Sequence, residues 1–339
     1  MNCNDIVARF ENRILTILDK QKLPLYLLNT ENVEHWLETR AIDCHRANSR
    51  LLKKALRLTE KDDISTVISV NAVTVTDTYW IKAIDSPLTY EEVRFDNDYF
   101  SNLALYGTYD SFNNASNSLS LKTPELTNIG SFEKCWKLKN GEWWLYKKAE
   151  HKEQFSELFA YEFGKALGMN MAEYSLGDRC VKTKDFTNNA EVNFEPAYSF
   201  MGDNEDYIET INKLSELSDK LAADYVKMIF LDTLLANPDR HTFNFGILRA
   251  PHTGEVIGFA PNFDNNMALI SRGYPKNTER KNDLLIRLFN ELIEYDCSFK
   301  KLLPIVNEDI ILEVIKKINM KVQTNLIVDF IMTGYRKII

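Results

Sequence analysis

Asp239, Asn244 and Asp264 are the residues of this chain whose types and spacing could do chemistry together. They sit in two stretches, Asn237-Pro238-Asp239-Arg240-His241-Thr242-Phe243-Asn244 and Phe259-Ala260-Pro261-Asn262-Phe263-Asp264-Asn265. Between them, Phe245–Ala250 and Glu255–Ala260 are apolar-rich runs of equal length separated by Pro251-His252-Thr253-Gly254, which reads as a β-hairpin. Antiparallel pairing sets Ala250 opposite Glu255 and Phe245 opposite Ala260, so Asn244 falls opposite Pro261 and Asp264 follows three residues later. The three residues are therefore expected at one end of a ribbon. Such a set suits kinase-type phosphoryl transfer, in which one Asp orients a hydroxyl and accepts its proton while an Asn and a second Asp hold Mg2+ against the β- and γ-phosphates. Oxygen donors suit Mg2+, a hard cation. Singly, each has a plainer reading: Asp239 as a turn or cap residue after Pro238, Asp264 as an Asx turn. His241 reads as a competing general base or as a loop residue that hydrogen-bonds the catalytic segment. The histidines show no H-x-x-x-H or H-E-x-x-H spacing, which gives no support to a catalytic zinc site.

Elements must hold these residues in place. Ile6, Phe10, Ile14 and Ile17–Leu18 form an apolar stripe that predicts a helix in the leader, and Arg46–Leu58 predicts a basic amphipathic helix. Its basic side reads as a solvated face, with a nucleic-acid contact as the alternative. From Val67 the pattern changes to a β-rich middle: Val67–Val75 is dense in β-branched residues, Tyr99–Ser120 is loop-like with an Asn/Ser-rich Ser111–Ser120, and Trp143–Lys148 is a strand after the Asn140-Gly141 turn. Glu153–Leu167 has helical spacing and ends at Gly168, a plausible C-cap. Short strands are expected at Ala172–Leu176 and Arg179–Lys184, and helices at Ala222–Ala236, Asp283–Leu292, Ile310–Ile318 and Val322–Met332.

At 339 residues the chain exceeds what one core usually serves, so at least two subdomains are expected. Its hydrophobic fraction of 45% and charged fraction of 27% are those of a soluble globular protein. A net charge of −8 argues against a protein whose main task is coating nucleic acid. Five cysteines with no C-x-x-C pair argue against a zinc scaffold or a disulfide framework. Met1–Lys20 is charged throughout, and the apolar stretch Tyr225–Ala236 is interrupted by Lys227 and Asp232, so no signal peptide or membrane span is expected and the cytoplasm is the default. Only 12 glycines occur, with no G-x-G-x-x-G and no G-x-x-x-x-G-K-[ST], so nucleotide chemistry would have to use another phosphate loop.

Asn237–Leu248 with Ala260–Asp264 resembles the catalytic and metal-binding motifs of the HipA-like serine/threonine kinase family, which includes HipA toxins and CtkA-type bacterial kinases. Gly130-Ser131-Phe132-Glu133-Lys134 is similar to that family's Gly-x-x-Glu-Lys phosphate loop, Leu145-Tyr146-Lys147 to its lysine strand, and Ser156-Glu157 to the helix that supplies the glutamate partner. The similarity covers about 126–330. It implies a bilobal α+β kinase-like fold, with a small β-rich N-lobe and a larger, mainly helical C-lobe. Residues 1–120 would form a helical leader and a divergent start of the N-lobe, 121–185 the N-lobe core, and 186–339 the C-lobe. It further implies ATP and Mg2+ as cofactors, with Asp239 as base, Asn244 and Asp264 as metal ligands, and Gly130, Ser131, Lys134, Lys147 and Glu157 at the nucleotide. Lys148 stands as the alternative to Lys147, and Glu162 to Glu157. The implied partners are a protein substrate with a Ser/Thr hydroxyl and a cognate antitoxin or inhibitor, with no direct nucleic acid and no membrane. Autophosphorylation near the loop is also implied, where Thr127 and Ser131 bracket Gly130. The chain lacks H-R-D and D-F-G, which separates it from ordinary eukaryote-type kinases. Two other readings remain. One is a small-molecule phosphotransferase, for which an acidic run (Asp203, Glu205, Asp206, Glu209) would favour a cationic acceptor; the other is a non-catalytic nucleotide-binding module.

Overall fold

The computed structural model of the chain describes residues 1–58, 62–108 and 122–338, and the Asn/Ser-rich Ser111–Ser120 lies outside them. Near the N-terminus, Asn12 and Arg13 both take positive φ (52° and 63°), the backbone of a two-residue hairpin turn. Strand β1 (Ala8–Glu11) accordingly pairs antiparallel with β2 (Ile14–Ile17), Glu11 opposite Ile14 and Ala8 opposite Ile17. The helix expected from Ile6, Phe10, Ile14 and Ile17–Leu18 is not formed. Two consecutive left-handed residues interrupt any helical ladder, and Ala8, Phe10, Leu15 and Ile17 share one face of the ribbon instead.

Short helices follow: α1 (Leu25–Thr30), α2 (Val33–Glu38), α3 (Ser49–Ala55), α4 (Asp63–Ile68), α5 (Tyr90–Val93) and α6 (Ser101–Tyr106). Polar caps start α2 and α4, Asn32 accepting from the His35 N–H and Asp62 from the Ser65 N–H, and a Thr89/Glu92 capping box starts α5. The run Val67–Val75, expected to open a β-rich middle, instead closes α4 and turns through left-handed Asn71 and Ala72. Its valines are buried, so the β-branched run marks core and not strand. The predicted helix over Arg46–Leu58 shortens to α3.

Strand β4 (Glu142–Lys148) lies where a strand is expected after the Asn140-Gly141 turn. Strand β3 (Lys134–Lys139), where no strand is expected, pairs with it across that turn, Lys139 opposite Glu142 and Lys134 opposite Lys147. Strands β5 (Tyr174–Gly177) and β6 (Cys180–Lys184) fall close to their expected places, and β7 (Asn193–Pro196) shares a sheet of order β7-β8-β9 with β8 (Gly246–Arg249) and β9 (Val256–Phe259). The remaining helices are α7 (His151–Ala166), α8 (Tyr198–Met201), α9 (Tyr207–Leu217), α10 (Asp219–Leu235), α11 (Leu284–Tyr295), α12 (Glu308–Ile318) and α13 (Thr324–Ile338). α7 and α10 to α13 lie where periodicity places them.

The chain is an α+β protein of two units, the first carrying most of the strands and the second mainly helical. Unit 1 comprises Met1–Lys148, Lys182–Glu195 and Leu248–Ile257; unit 2 comprises Ala149–Val181, Pro196–Ile247 and Gly258–Ile339. The core of unit 1 gathers Leu52, Val73, Trp80, Leu103, Trp136 and Trp143. The hairpin tip joins it through Arg249, whose buried guanidinium donates to Glu195 at 2.8 Å and to the Leu23 carbonyl at 2.9 Å. Gly254 is required there, because a Cβ would collide with the Gln21 carbonyl. In unit 2, Phe155, Phe159 and Phe163 stack along α7 at centroid distances of 5.7 and 5.3 Å, and α10 is buried over most of its length. No helix among the described residues is long and apolar enough to cross a membrane. All five cysteines are free.

Candidate active site

Unit 2 builds its polar centre where α10 ends. Ala236 turns left-handed (φ 49°), and Pro238 lacks the N–H that would continue a helix. Asn237 anchors the exit, donating from its backbone to the Asp232 carbonyl (2.9 Å) and from Nδ2 to the Asp232 carboxylate (2.8 Å). The loop then closes on itself. The His241 N–H donates to the Asp239 carbonyl at 3.0 Å and the Asn244 N–H to the His241 carbonyl at 2.8 Å. Asn244 Nδ2 donates to the same Asp239 carbonyl at 2.9 Å, so Asp239 and Asn244 are brought together. His241 Nδ1 accepts from the Phe243 N–H at 3.3 Å, which gives His241 a part in shaping the turn.

One buried arginine, absent from the expected site, organises the whole. Arg240 forks onto Asp232 through Nε and Nη2 (2.8 and 2.9 Å). Its Nη1 donates to the carbonyls of Asn244 (2.8 Å) and Phe263 (2.6 Å), and Nη2 also reaches Asn262 and Asn265. The residue before Asp264 and the carbonyl of Asn244 thus converge on one guanidinium. Burial opposes the charge, but the Asp232 carboxylate outweighs it and holds Arg240 above its ordinary pKa. A sequence signal existed: an Asp inside an apolar helix needs a buried partner.

Asp264 itself takes left-handed φ (57°), an uncommon state for a non-glycine residue. Its N–H donates to the Tyr174 hydroxyl at 3.0 Å, and the buried Glu157 carboxylate of α7 acts on that same hydroxyl. Burial, then Glu157 and Asp264, push the Tyr174 pKa well above its ordinary value, which keeps it a neutral donor. Tyr174 therefore links Glu157 to Asp264. The hairpin delivers Asp264 with a change of register. Near the tip, Ala250 donates to Glu255 as expected, but Ala260 donates to Gly246 and does not pair with Phe245. A left-handed Gly254 bulge also marks the tip.

In unit 1, Gly130 takes φ 100° and Ser131 is exposed. A Cβ at Gly130 would collide with Lys134 Nζ, which folds over it. Lys147 is buried on β4 with its ammonium 4.8 Å from the Phe132 ring centre, whereas Lys148 is exposed. Among the glutamates, Glu157 is fully buried and Glu162 pairs with Lys317 at 2.5 Å. Thr127 is buried and donates to the Val73 carbonyl at 2.7 Å. The acidic run near 203 to 209 is a helix cap: Asp206 accepts from the Glu209 N–H, and Asn204 donates to Glu209. Asp43, Cys44 and His45 also cluster, with His45 Nδ1 satisfied by Asp43 at 3.0 Å.

Arg46 departs from its expected place on a solvated face. It is buried and precedes α3. Near it, Glu125 is fully buried, accepts from the Trp136 N–H at 2.8 Å and from Asn128 Nδ2 at 3.2 Å, and is raised by burial to a pKa of about 7. A carboxyl raised in the folded state favours folding while protonated. Its contribution is complete below the unfolded value near 4.5 and is lost as pH rises through 7. Glu125→Gln is therefore expected to match the wild type in thermal melts at pH 4.5 and to exceed it by about 3 kcal/mol at pH 8.

No protein-family model and no curated protein matches the chain. Among solved structures, it is similar to the Helicobacter pylori proinflammatory kinase CtkA at 18% identity, covering 60% of this chain and 89% of that one with a TM-score of 0.41. It is also similar to a chain of the Shewanella oneidensis MR-1 toxin–antitoxin complex of HipA, HipB and operator DNA, at 13% identity, covering 97% and 94% with a TM-score of 0.47. At these identities the likeness concerns fold and carries no activity with it.

Proposed function

We propose that the chain is an ATP- and Mg2+-dependent serine/threonine protein kinase of the HipA-like type. The observation that supports this best is the gathering of Asp239, Asn244 and the backbone entering Asp264 around buried Arg240. Asp239 is half-buried, its backbone fixed by Asn237 and His241, and it takes the proton of the acceptor hydroxyl. As that proton leaves, the hydroxyl oxygen bonds the γ-phosphorus and the bond to the β-phosphate bridging oxygen breaks, releasing ADP. Asn244 and Asp264 fit Mg2+ by donor chemistry. Asn244 Nδ2 is committed to Asp239, which leaves Oδ1 as the atom for a cation, and Asp264 offers carboxylate oxygens. Bound there, Mg2+ would supply charge neutralisation to the phosphates. Gly130, Ser131, Lys134 and Lys147 are assigned to the nucleotide phosphates, Glu157 to lysine alignment, and His241 to the shape of the catalytic loop. The acceptor is a protein Ser/Thr hydroxyl, Ser131 of this chain included, and a protein inhibitor of the antitoxin kind belongs to the same proposal.

The test is incubation with [γ-32P]ATP and a protein acceptor mixture, with Mg2+ or with EDTA. Label is expected with Mg2+ in the wild type and its loss to background in Asp264→Ala. Equal labelling by the two proteins would exclude the metal assignment, and no labelling of any acceptor would exclude a kinase.

A further inference from the structure

We propose that Arg46 is the positioning residue of the phosphate loop, aiming the backbone N–H groups of Ile129 and Ser131 at the phosphates. The proposal rests on the nucleotide reading above and concerns unit 1 alone. Arg46 is 1% exposed, a rare state for an arginine; its Nε and Nη2 are hydrogen-bonded, while Nη1 is buried with no hydrogen-bond partner among the described residues. Its Nη2 donates to the carbonyl of Asn128 and, at 2.9 Å, to that of Gly130, which Nε also reaches at 3.2 Å. No carboxylate forms an ion pair with it within salt-bridge distance among the described residues, so its hydrogen bonds go to the loop backbone.

The consequence follows from peptide geometry. The chain has no cis bonds among the described residues, and in a planar trans peptide the C=O and the following N–H point in opposite directions. Drawing the carbonyls of Asn128 and Gly130 onto one guanidinium turns the N–H groups of Ile129 and Ser131 away from it. Neither N–H donates to any backbone carbonyl among the described residues. Two such donors on one exposed loop form a backbone anion site of the nest kind, with the Lys134 ammonium folded over Gly130 beside it. The strap that carries Arg46 is itself tied to the loop, Ala47 donating to Glu133 at 3.3 Å. Glu125 holds the Asn128 side chain while Arg46 holds its carbonyl. A glycine-rich loop reaches phosphates through flexible backbone; this loop, with Gly130 alone, is set by an arginine from outside it.

Two measurements test the assignment. In the 15N-labelled wild type, the Ile129 and Ser131 amide resonances are expected to shift on adding a Mg2+ complex of a non-hydrolysable ATP analogue and to stay in place with adenosine. By calorimetry, Arg46→Lys is expected to weaken the ATP analogue about tenfold while adenosine affinity is unchanged. A lysine has no counterpart of Nε to hold the Gly130 carbonyl and no rigid planar fork to fix the direction of both carbonyls. A purely structural role would lower the melting temperature and weaken both ligands alike. Should Arg46→Lys fail to fold, the wild-type amide shifts decide. Analogue binding with both amides unmoved, or an unchanged ATP-to-adenosine ratio in the variant, overturns the role of Arg46 alone. Failure of the wild type to bind the analogue overturns the nucleotide reading beneath it.

Discussion

Asp239→Asn is expected to slow phosphoryl transfer about a thousandfold, the usual contribution of a positioned general base, with ATP affinity and melting temperature close to wild type. The substitution spares the structure because the loop uses the backbone of Asp239 and not its carboxylate. The Asp239 carbonyl accepts from His241 and Asn244 Nδ2, and its N–H donates to Asn237. An asparagine keeps those three bonds and its size, and loses the ability to take a proton. A single-turnover assay with [γ-32P]ATP, run beside calorimetric ATP binding, separates the two effects. A rate within threefold of wild type would remove Asp239 from the reaction. A matching fall in ATP affinity would move it from proton acceptor to nucleotide ligand.

How much of this was legible beforehand differs by element. Strand β4 follows from the Asn140-Gly141 turn, and α10 from an apolar run long enough to be a buried helix, whereas β3 gives no comparable signal. The ribbon that returns Asp264 was visible in paired apolar runs, although its register near the base was not: the choice between Phe245 and Gly246 as partner of Ala260 depends on local twist and bulging. The leader reads as a helix because spacing by four and alternation by two overlap in Ile6, Phe10 and Ile14, and the left-handed turn at Asn12-Arg13 decides for the ribbon. Arg46, Glu125, Tyr174 and Arg240 share a different reason for escaping notice. Arg46 and Tyr174 work through contacts distant in sequence, Arg46 with Gly130 and Tyr174 with Asp264, while Glu125 and Arg240 also bond nearer neighbours. A charged or phenolic residue read alone looks like surface. What spacing reveals is the residues that would meet the substrate; the side chains that hold them appear only with the fold.

Arg240→Met tests that holding layer and is expected to cost about 3–5 kcal/mol of stability, the range for breaking a buried ion pair. The side chain is 3% exposed and its Asp232 partner 2% exposed, so water cannot replace the lost bonds. Removing the guanidinium leaves Asp232 with Asn237 as its remaining side-chain donor and strips partners from the carbonyls of Asn244 and Phe263 and from Asn262 and Asn265. Adding Asp232→Leu should recover a large part of the stability, because the uncompensated buried charge is then gone. It should not recover phosphoryl transfer, since nothing then draws Asn244 and the approach to Asp264 together. Urea midpoints for the two single variants and the pair, with transfer assayed where each is folded, distinguish these outcomes. Recovery of transfer in the double variant would show that the charge pair serves stability alone, and that Asn244 and Asp264 find their places without Arg240. Persistent loss with restored stability would make Arg240 the residue that converts a buried ion pair into an ordered metal and catalytic loop.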